Sequence, residues 1–157
     1  MYIESILDEM KRFGTPCIQQ FIPCTDEEIL LIEQQFHLSL PTAYKEFLLT
    51  MGKGAGDLLV GSEFLYKDLP GLQEVAHEML AEDAFPQNLP EDAFVFFMHQ
   101  GYQFNFFRTS EGDNPPVYRY FEGKDKEAFP LIYPHYTDFL LIELKDHADF
   151  IQRRRKA

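Results

Sequence analysis

One segment constrains the fold more than any other, because Phe94-Val95-Phe96-Phe97-Met98 is apolar at every position. A strand with one solvated face alternates apolar and polar residues, so an unbroken apolar run predicts a strand at the centre of a sheet. Gln100-Gly101 can turn the chain into a second strand over residues 102–107, and the turn Asp113-Asn114-Pro115-Pro116 precedes a third strand over residues 117–121. The middle of the chain is therefore predicted to form a meander of strands.

The segments around these strands have the three- and four-residue apolar spacing of helices. Thr25 and Glu28 show capping-box spacing, which predicts the start of one helix, and Pro41 and Gly52 suit the first turn and the C-cap of the next. Further helices are predicted near the N-terminus, over residues 71–82 and near the C-terminus. Helices, then strands, then a helix predict an α+β fold. The residues expected to be buried in the last two helices are Leu72, Val75, Ala76, Met79, Leu80, Phe139, Leu140, Leu144 and Phe150.

Length and composition fit one folded domain. The chain has 157 residues, of which 45% are hydrophobic, and this content excludes a disordered chain. A single domain over residues 1–157 is expected, with residues 1–20 as an N-terminal helical extension and residues 152–157 as a basic tail. The N-terminus shows no signal-peptide pattern and the longest apolar run is too short to span a bilayer, so a cytoplasmic protein is expected.

The charge of the chain is strongly acidic and unevenly placed. Twenty-six Asp and Glu residues against 14 Lys and Arg give a net charge of -12, which disfavours direct contact with nucleic acid or an anionic membrane and favours a basic protein partner. No Lys or Arg occurs from Asp68 to Phe107. Within this window Glu74, Glu78 and Glu82 have the four-residue spacing of a helix stripe, where like charges cost about 0.2–0.5 kcal/mol per pair. The stripe is either a docking surface for a cation-rich partner or a plain solvated face.

No residue pattern predicts a catalytic residue, a metal ligand or a cofactor. The five histidines lack zinc-site spacing, and Ser62 lacks the Gly-x-Ser-x-Gly frame of a nucleophile elbow. The glycine loop at residues 52–56 lacks the Lys and hydroxyl of a phosphate-binding loop and is interpreted as a turn that needs positive φ angles. Cys17 and Cys24 are expected to be free thiols.

Several segments together resemble a known family. Thr25-Asp26-Glu27-Glu28-Ile29 is followed by Leu40-Pro41-x-x-Tyr44-Lys45-x-Phe47-Leu48 and then by the glycine loop. This order is similar to the SUKH superfamily, in particular the group related to the fungal cell-wall synthesis regulator, and weaker matches such as Thr137-x-Phe139-Leu140 extend it towards the C-terminus. Members often carry Asn-Gly-Gly where this chain has Met51-Gly52-Lys53-Gly54, and a Trp that this chain lacks.

The resemblance implies an α+β domain with a central, mostly antiparallel sheet and helices packed around it. It also implies a protein-interaction module, since bacterial members act mainly as immunity proteins that neutralise toxins, many of them nucleases. We therefore expect an immunity protein that binds a basic nuclease toxin, and the alternative is a cytoplasmic scaffold or regulatory module with an endogenous partner. The expected contact residues are Glu74, Glu78, Glu82, Asp83, Glu91 and Asp92, together with Asp57 and Glu63.

Overall fold

The computed structural model describes residues 1–13 and 20–156. Over this part of the chain the helices are α1 (Tyr2–Arg12), α2 (Asp26–Phe36), α3 (Thr42–Met51), α4 (Leu69–Glu82) and α5 (Tyr136–Lys156), with a 3₁₀ turn at Tyr66–Asp68. The strands are β1 (Phe21–Ile22), β2 (Gly54–Ala55), β3 (Ser62–Glu63), β4 (Ala93–His99), β5 (Gln103–Arg108), β6 (Val117–Phe121) and β7 (Leu131–Tyr133).

Strands β3 to β7 form an antiparallel sheet of five strands that are arranged in chain order, and β1 pairs with β2 in a separate ribbon. This architecture confirms the predicted α+β fold with a central antiparallel sheet. The three predicted strands are β4, β5 and β6, which occupy the middle of the sheet. Gln100 and Gly101 form the turn between β4 and β5 with positive φ angles of 49° and 77°. The sequence pattern does not predict the two- and three-residue strands β1, β2, β3 and β7.

Both faces of the sheet are covered, as the apolar run in β4 requires. Adjacent residues of a strand point to opposite faces, so Phe106 and Phe107 mark the two sides. Phe107 contacts Tyr44 of α3 and Tyr136 of α5, with ring centroids 5.1 and 6.0 Å apart, so α3 and α5 cover its side. Phe106 packs instead against Phe129, 5.1 Å away, on the other side. Aromatic rings that meet edge to face therefore pack on both sides of the sheet.

The capping box that the sequence predicts at the start of α2 is present. The Thr25 hydroxyl accepts a hydrogen bond from the Glu28 backbone N–H at 3.2 Å, and the Glu28 carboxylate accepts one from the Thr25 backbone N–H at 3.0 Å. The hydrogen bond from the Thr25 backbone holds the pKa of Glu28 below its ordinary value. Two N–H groups that have no partner inside the helix are thereby satisfied.

Two residues predicted to be buried are exposed. Val75 of α4 is 36% exposed and Phe150 of α5 is 57% exposed. At about 100° per residue, Val75 lies at the edge of the face that carries the buried Leu72 and Ala76, so it is only partly covered. Phe150 lies near the end of α5, beyond Leu144, and contacts the Arg154 guanidinium at 5.7 Å.

The glycines of the loop at residues 52–56 differ in backbone conformation and in the contacts that they make. Gly56 has a positive φ of 61°, as predicted, but Gly52 caps α3 with a φ of −63°. A Cβ atom on Gly52 would lie 2.6 Å from the Cys24 sulfur, so Gly52 is required by close packing rather than by its φ angle. Gly54 lies in β2 opposite Ile22. The interpretation of the whole loop as a positive-φ turn is therefore correct for Gly56 and wrong for Gly52 and Gly54.

The two ends of the described chain pack together. α1 buries Ile3, Ile6 and Met10 and contacts α3 and α5. α5 continues through Lys156, and Arg153 and Arg154 are exposed. Cys24 is a buried free thiol, whereas Cys17 lies outside the described residues.

Candidate acidic interaction surface

Helix α4 presents the predicted acidic stripe, and two features fix its position on the sheet. Leu69, Leu72 and Ala76 are almost completely buried and anchor the helix through apolar contacts. The Gln73 side chain accepts a hydrogen bond from the Val95 backbone N–H at 2.9 Å and donates one to the Val95 carbonyl oxygen at 2.6 Å. Because β3 pairs with β4 only at Met98 and His99, the Gln73 amide replaces the missing strand neighbour of Val95.

The three stripe residues point into solvent. Glu74, Glu78 and Glu82 are exposed, and none of them forms an ion pair with any residue in the described ranges. Positions four apart on a helix are separated by about 40° around the axis and about 6 Å along it. The stripe therefore crosses the outer side of α4 at a shallow angle to the helix axis, and its three carboxylates are exposed to solvent.

Two other predicted contact residues already have partners within the chain. Asp83 is exposed, but its carboxylate accepts a hydrogen bond from the Tyr120 hydroxyl, whose pKa is raised by burial and by this contact. Asp92 pairs with Arg108, with Oδ1 and Nε 2.9 Å apart, and accepts hydrogen bonds from the backbone N–H and hydroxyl of Ser110. Burial alone would raise the pKa of Asp92, but the hydrogen bonds from Ser110 and Arg108 outweigh it and lower the pKa. Both carboxylates thus hold the chain on either side of residues 84–91.

The remaining three predicted residues lie in three different places. Glu91 is exposed beside α4, near the stripe. Asp57 lies apart, because its Oδ1 is 3.3 Å from His147 Nε2 on α5. Glu63 is exposed in β3, opposite Met98 on the sheet. The structure therefore places Glu74, Glu78 and Glu82 on α4 with Glu91 beside the same helix, whereas Asp57 lies next to α5.

Ser62 and the glycine loop, which a catalytic or anion-binding role would use, make contacts within the chain. Ser62 Oγ lies 2.8 Å from His99 Nδ1, and these residues are direct cross-strand partners in β3 and β4. The glycine loop pairs with β1 through Gly54 and Ala55, so its backbone is occupied by the ribbon. Within the described part of the chain, no group of three or more His, Cys, Asp or Glu residues is placed to hold a metal ion.

The sequence reasoning did not identify Gln73 as important. Glutamine is a common surface residue, and its partner is a backbone group 22 positions away, so the pattern contains no local signal for the contact. Its one indication is its place beside the buried stripe of α4, next to Leu72 and Ala76.

The fold and the acidic helix define an α+β domain with a helix-covered antiparallel sheet and a negatively charged face that is exposed to solvent. Residues 23–142 match the model of the SMI1 / KNR4 family (SUKH-1), and the chain belongs to this family. No individual curated protein matches the chain. Members of the family are generally not enzymes, and membership fits a role in toxin immunity or a related interaction with a protein partner. None of the described helices is long and apolar enough to cross a membrane.

Proposed function

We propose that this chain is an immunity protein of a bacterial toxin system, which binds a cognate nuclease toxin through the acidic surface of α4 and blocks its active site. The observation that carries the proposal is the set of exposed carboxylates at Glu74, Glu78 and Glu82, which have no compensating cation among the described residues. Family membership supports a protein partner rather than a small substrate.

Charge complementarity connects this surface to a nuclease. A nuclease must hold phosphates and therefore presents a basic cleft, which an acidic helix can occupy in place of the nucleic acid. Opposite charges on two proteins steer their encounter and raise the association rate, and this effect weakens as salt screens it. We therefore expect fast, salt-sensitive binding to a basic toxin domain.

The test uses the purified full chain as bait, and any nuclease domain that it captures is purified for the binding and cleavage measurements. Reversal of Glu74, Glu78 and Glu82 to Lys should slow association and weaken binding at least about tenfold at low salt, with a smaller difference at high salt. Nuclease activity should be inhibited by the unmodified chain and restored when the triple variant is used. Surface plasmon resonance and a nucleic-acid cleavage assay measure the two effects.

A matched control keeps the change in net charge the same. Asp8 of α1 and Asp146 and Asp149 of α5 are also exposed acids on helices, and reversing these three should leave binding nearly unchanged. Equal losses for the two triple variants would show that the net charge matters and that α4 does not. A chain that binds no toxin domain but captures a protein of its own cell would instead support the scaffold or regulatory role.

A further inference from the structure

A groove runs along one flank of α4, between this helix and the segment of residues 85–94. It consists of two adjoining cavities of about 240 and 270 Å³ that share His77 as a lining residue. Gln73 lies at one end, and Ala81 and Phe85 lie towards the other. Small-molecule sites usually exceed about 300 Å³, so each cavity is better matched to a single long side chain than to a cofactor.

We propose that this α4 groove receives an Arg or Lys side chain from a loop of the basic partner, whose apolar stem lies on the floor and whose charged head reaches the acidic rim. The proposal deepens the function given above and rests on it for the identity of the partner. The groove is the place where the partner inserts a side chain, and the acidic residues that lie nearest to it are expected to contribute most to binding.

The floor of the groove is apolar. The first cavity is lined by Phe36 and Leu38 at and just after the end of α2, by Leu89 and by the fully buried Phe94. Leu80 and Phe85 line the second cavity, so a stem that lies along the floor contacts both cavities. Phe36 and Phe94 meet edge to face with centroids 6.1 Å apart, so the floor is preformed. Long basic side chains bury their methylene stems against such surfaces while the charge stays near water.

The rim of the groove carries negative charge. Glu91 lines the first cavity and is exposed, and Glu74 lies next to Gln73 on α4. At about 100° per residue, Glu74 is displaced from the groove-lining His77 by about 60° around the helix, Glu78 by about 100° and Glu82 by about 140°. Glu91, Glu74 and Glu78 therefore face an inserted cation more closely than Glu82 does.

The chemistry of the rim selects the occupant. The Gln73 amide is already engaged by Val95, so the polar side chains left at this end are the His77 imidazole and the Glu91 carboxylate, with Glu74 beside them on α4. An anionic or purely apolar occupant would leave these carboxylates unpaired. Neither Glu74 nor Glu91 forms an ion pair with a residue in the described ranges. An Arg or Lys side chain of another protein fits both parts of the groove, because its methylene stem packs on the apolar floor and its charged head pairs with the carboxylates of the rim.

The first experiment fills the groove without changing charge. Ala81 is exposed and lines the second cavity, so Ala81→Tyr should obstruct it, while Val75→Tyr places the same side chain on the other flank of α4. The probe is a synthetic peptide of alternating Arg and Leu, added to the ¹⁵N-labelled full chain and followed by NMR. We expect saturable shifts at the amides of His77, Leu89 and Glu91, a loss of affinity of about fivefold or more in Ala81→Tyr, and little change in Val75→Tyr.

The second experiment tests the ranking of the acids with the same peptide. Glu91→Gln and Glu74→Gln should each weaken binding more than Glu82→Gln. Equal affinities for Ala81→Tyr and Val75→Tyr, or shifts confined to other surfaces, would overturn the groove. A dimer of the unmodified chain in sedimentation that Ala81→Tyr dissociates would also overturn it, because a second copy would then occupy the groove.

The two proposals fail in different ways. Groove-dependent peptide binding without capture or inhibition of any toxin domain would refute the immunity role and leave the groove supported. Toxin binding that is lost in the α4 triple reversal but unaffected by Ala81→Tyr would support the immunity role and refute the insertion of a side chain into the groove.

Discussion

Replacement of Gln73 by Ala should loosen α4 from the sheet, and the magnitude follows from the two hydrogen bonds that the side chain makes. The Gln73 amide satisfies both the N–H and the carbonyl of Val95, at 2.9 and 2.6 Å. Val95 is fully buried, so water reaches its backbone poorly once the amide is removed. A buried polar group that loses its partner costs about 1–3 kcal/mol. Two such groups, with partial relaxation, give an expected loss of about 2–4 kcal/mol.

The assay is urea unfolding of the full chain, followed by circular dichroism. With a denaturant slope of about 2 kcal/mol per molar urea, the midpoint should fall by about 1–2 M in Gln73→Ala. Gln73→Met separates packing from hydrogen bonding, because it keeps most of the volume but offers no amide, and it should be destabilised almost as much. Gln34→Ala is the matched control, since Gln34 is exposed on α2 and makes no contact of this kind.

Two results would refute the reasoning about Gln73. A midpoint in Gln73→Ala equal to that of the unmodified chain would mean that solvent replaces the amide at no cost. Full stability of Gln73→Met would mean that the side chain acts through its volume and that the hydrogen bonds to Val95 contribute little.

Two further substitutions test the packing and the electrostatics of the helices. Gly52→Ala should lower the free energy of unfolding by about 1–3 kcal/mol because its Cβ would lie 2.6 Å from the Cys24 sulfur, whereas Gly71→Ala, in an open position of α4, should raise it by about 0.5–1 kcal/mol in the same urea assay. Burial and the nearby Asp146 raise the pKa of Glu143 in the folded chain, so its ionised form opposes folding at neutral pH. Glu143→Gln should therefore stabilise the chain at pH 7, and the gain should disappear as the pH falls below the ordinary pKa of glutamate, where Glu143 is protonated in both states; a gain that persists at acid pH would contradict this.

Local signals explain the parts of the fold that the sequence predicts well. The capping box at Thr25 depends on residues three positions apart, and the strands β4, β5 and β6 on continuous apolar or aromatic runs with turns between them. The helix over residues 71–82 was also predictable, although α4 begins at Leu69. Pro70 fits the first turn of a helix, where its missing N–H has no intrahelical partner, and the preceding 3₁₀ turn extends the helical segment backwards.

The parts that sequence reasoning misses depend on distant contacts. β3 and β7 contain two and three residues, too few for a period-two pattern, and they are strands because β4 and β6 offer hydrogen-bonding edges. The contacts of Asp83 and Asp92 also depend on residues that are distant in the sequence. Sequence places Asp83 and Asp92 beside the stripe, but the Tyr120 hydroxyl and the Arg108 guanidinium that engage them come from separate strands.

The ion pairs of the described chain involve other acids and leave the glutamates of α4 without a cation partner. Arg108 at the end of β5 pairs with Asp92, and Arg119 of β6 pairs with Asp125 at 3.0 Å. Both cations lie after the base-free window in the sequence. α4 lies inside that window, so no nearby base of its own segment reduces the repulsion between its glutamates, which costs about 0.2–0.5 kcal/mol for each neighbouring pair. This cost falls on the isolated chain and is offset when cations from another protein approach. The same charges that slightly destabilise the helix alone would therefore speed and strengthen its association with a basic partner.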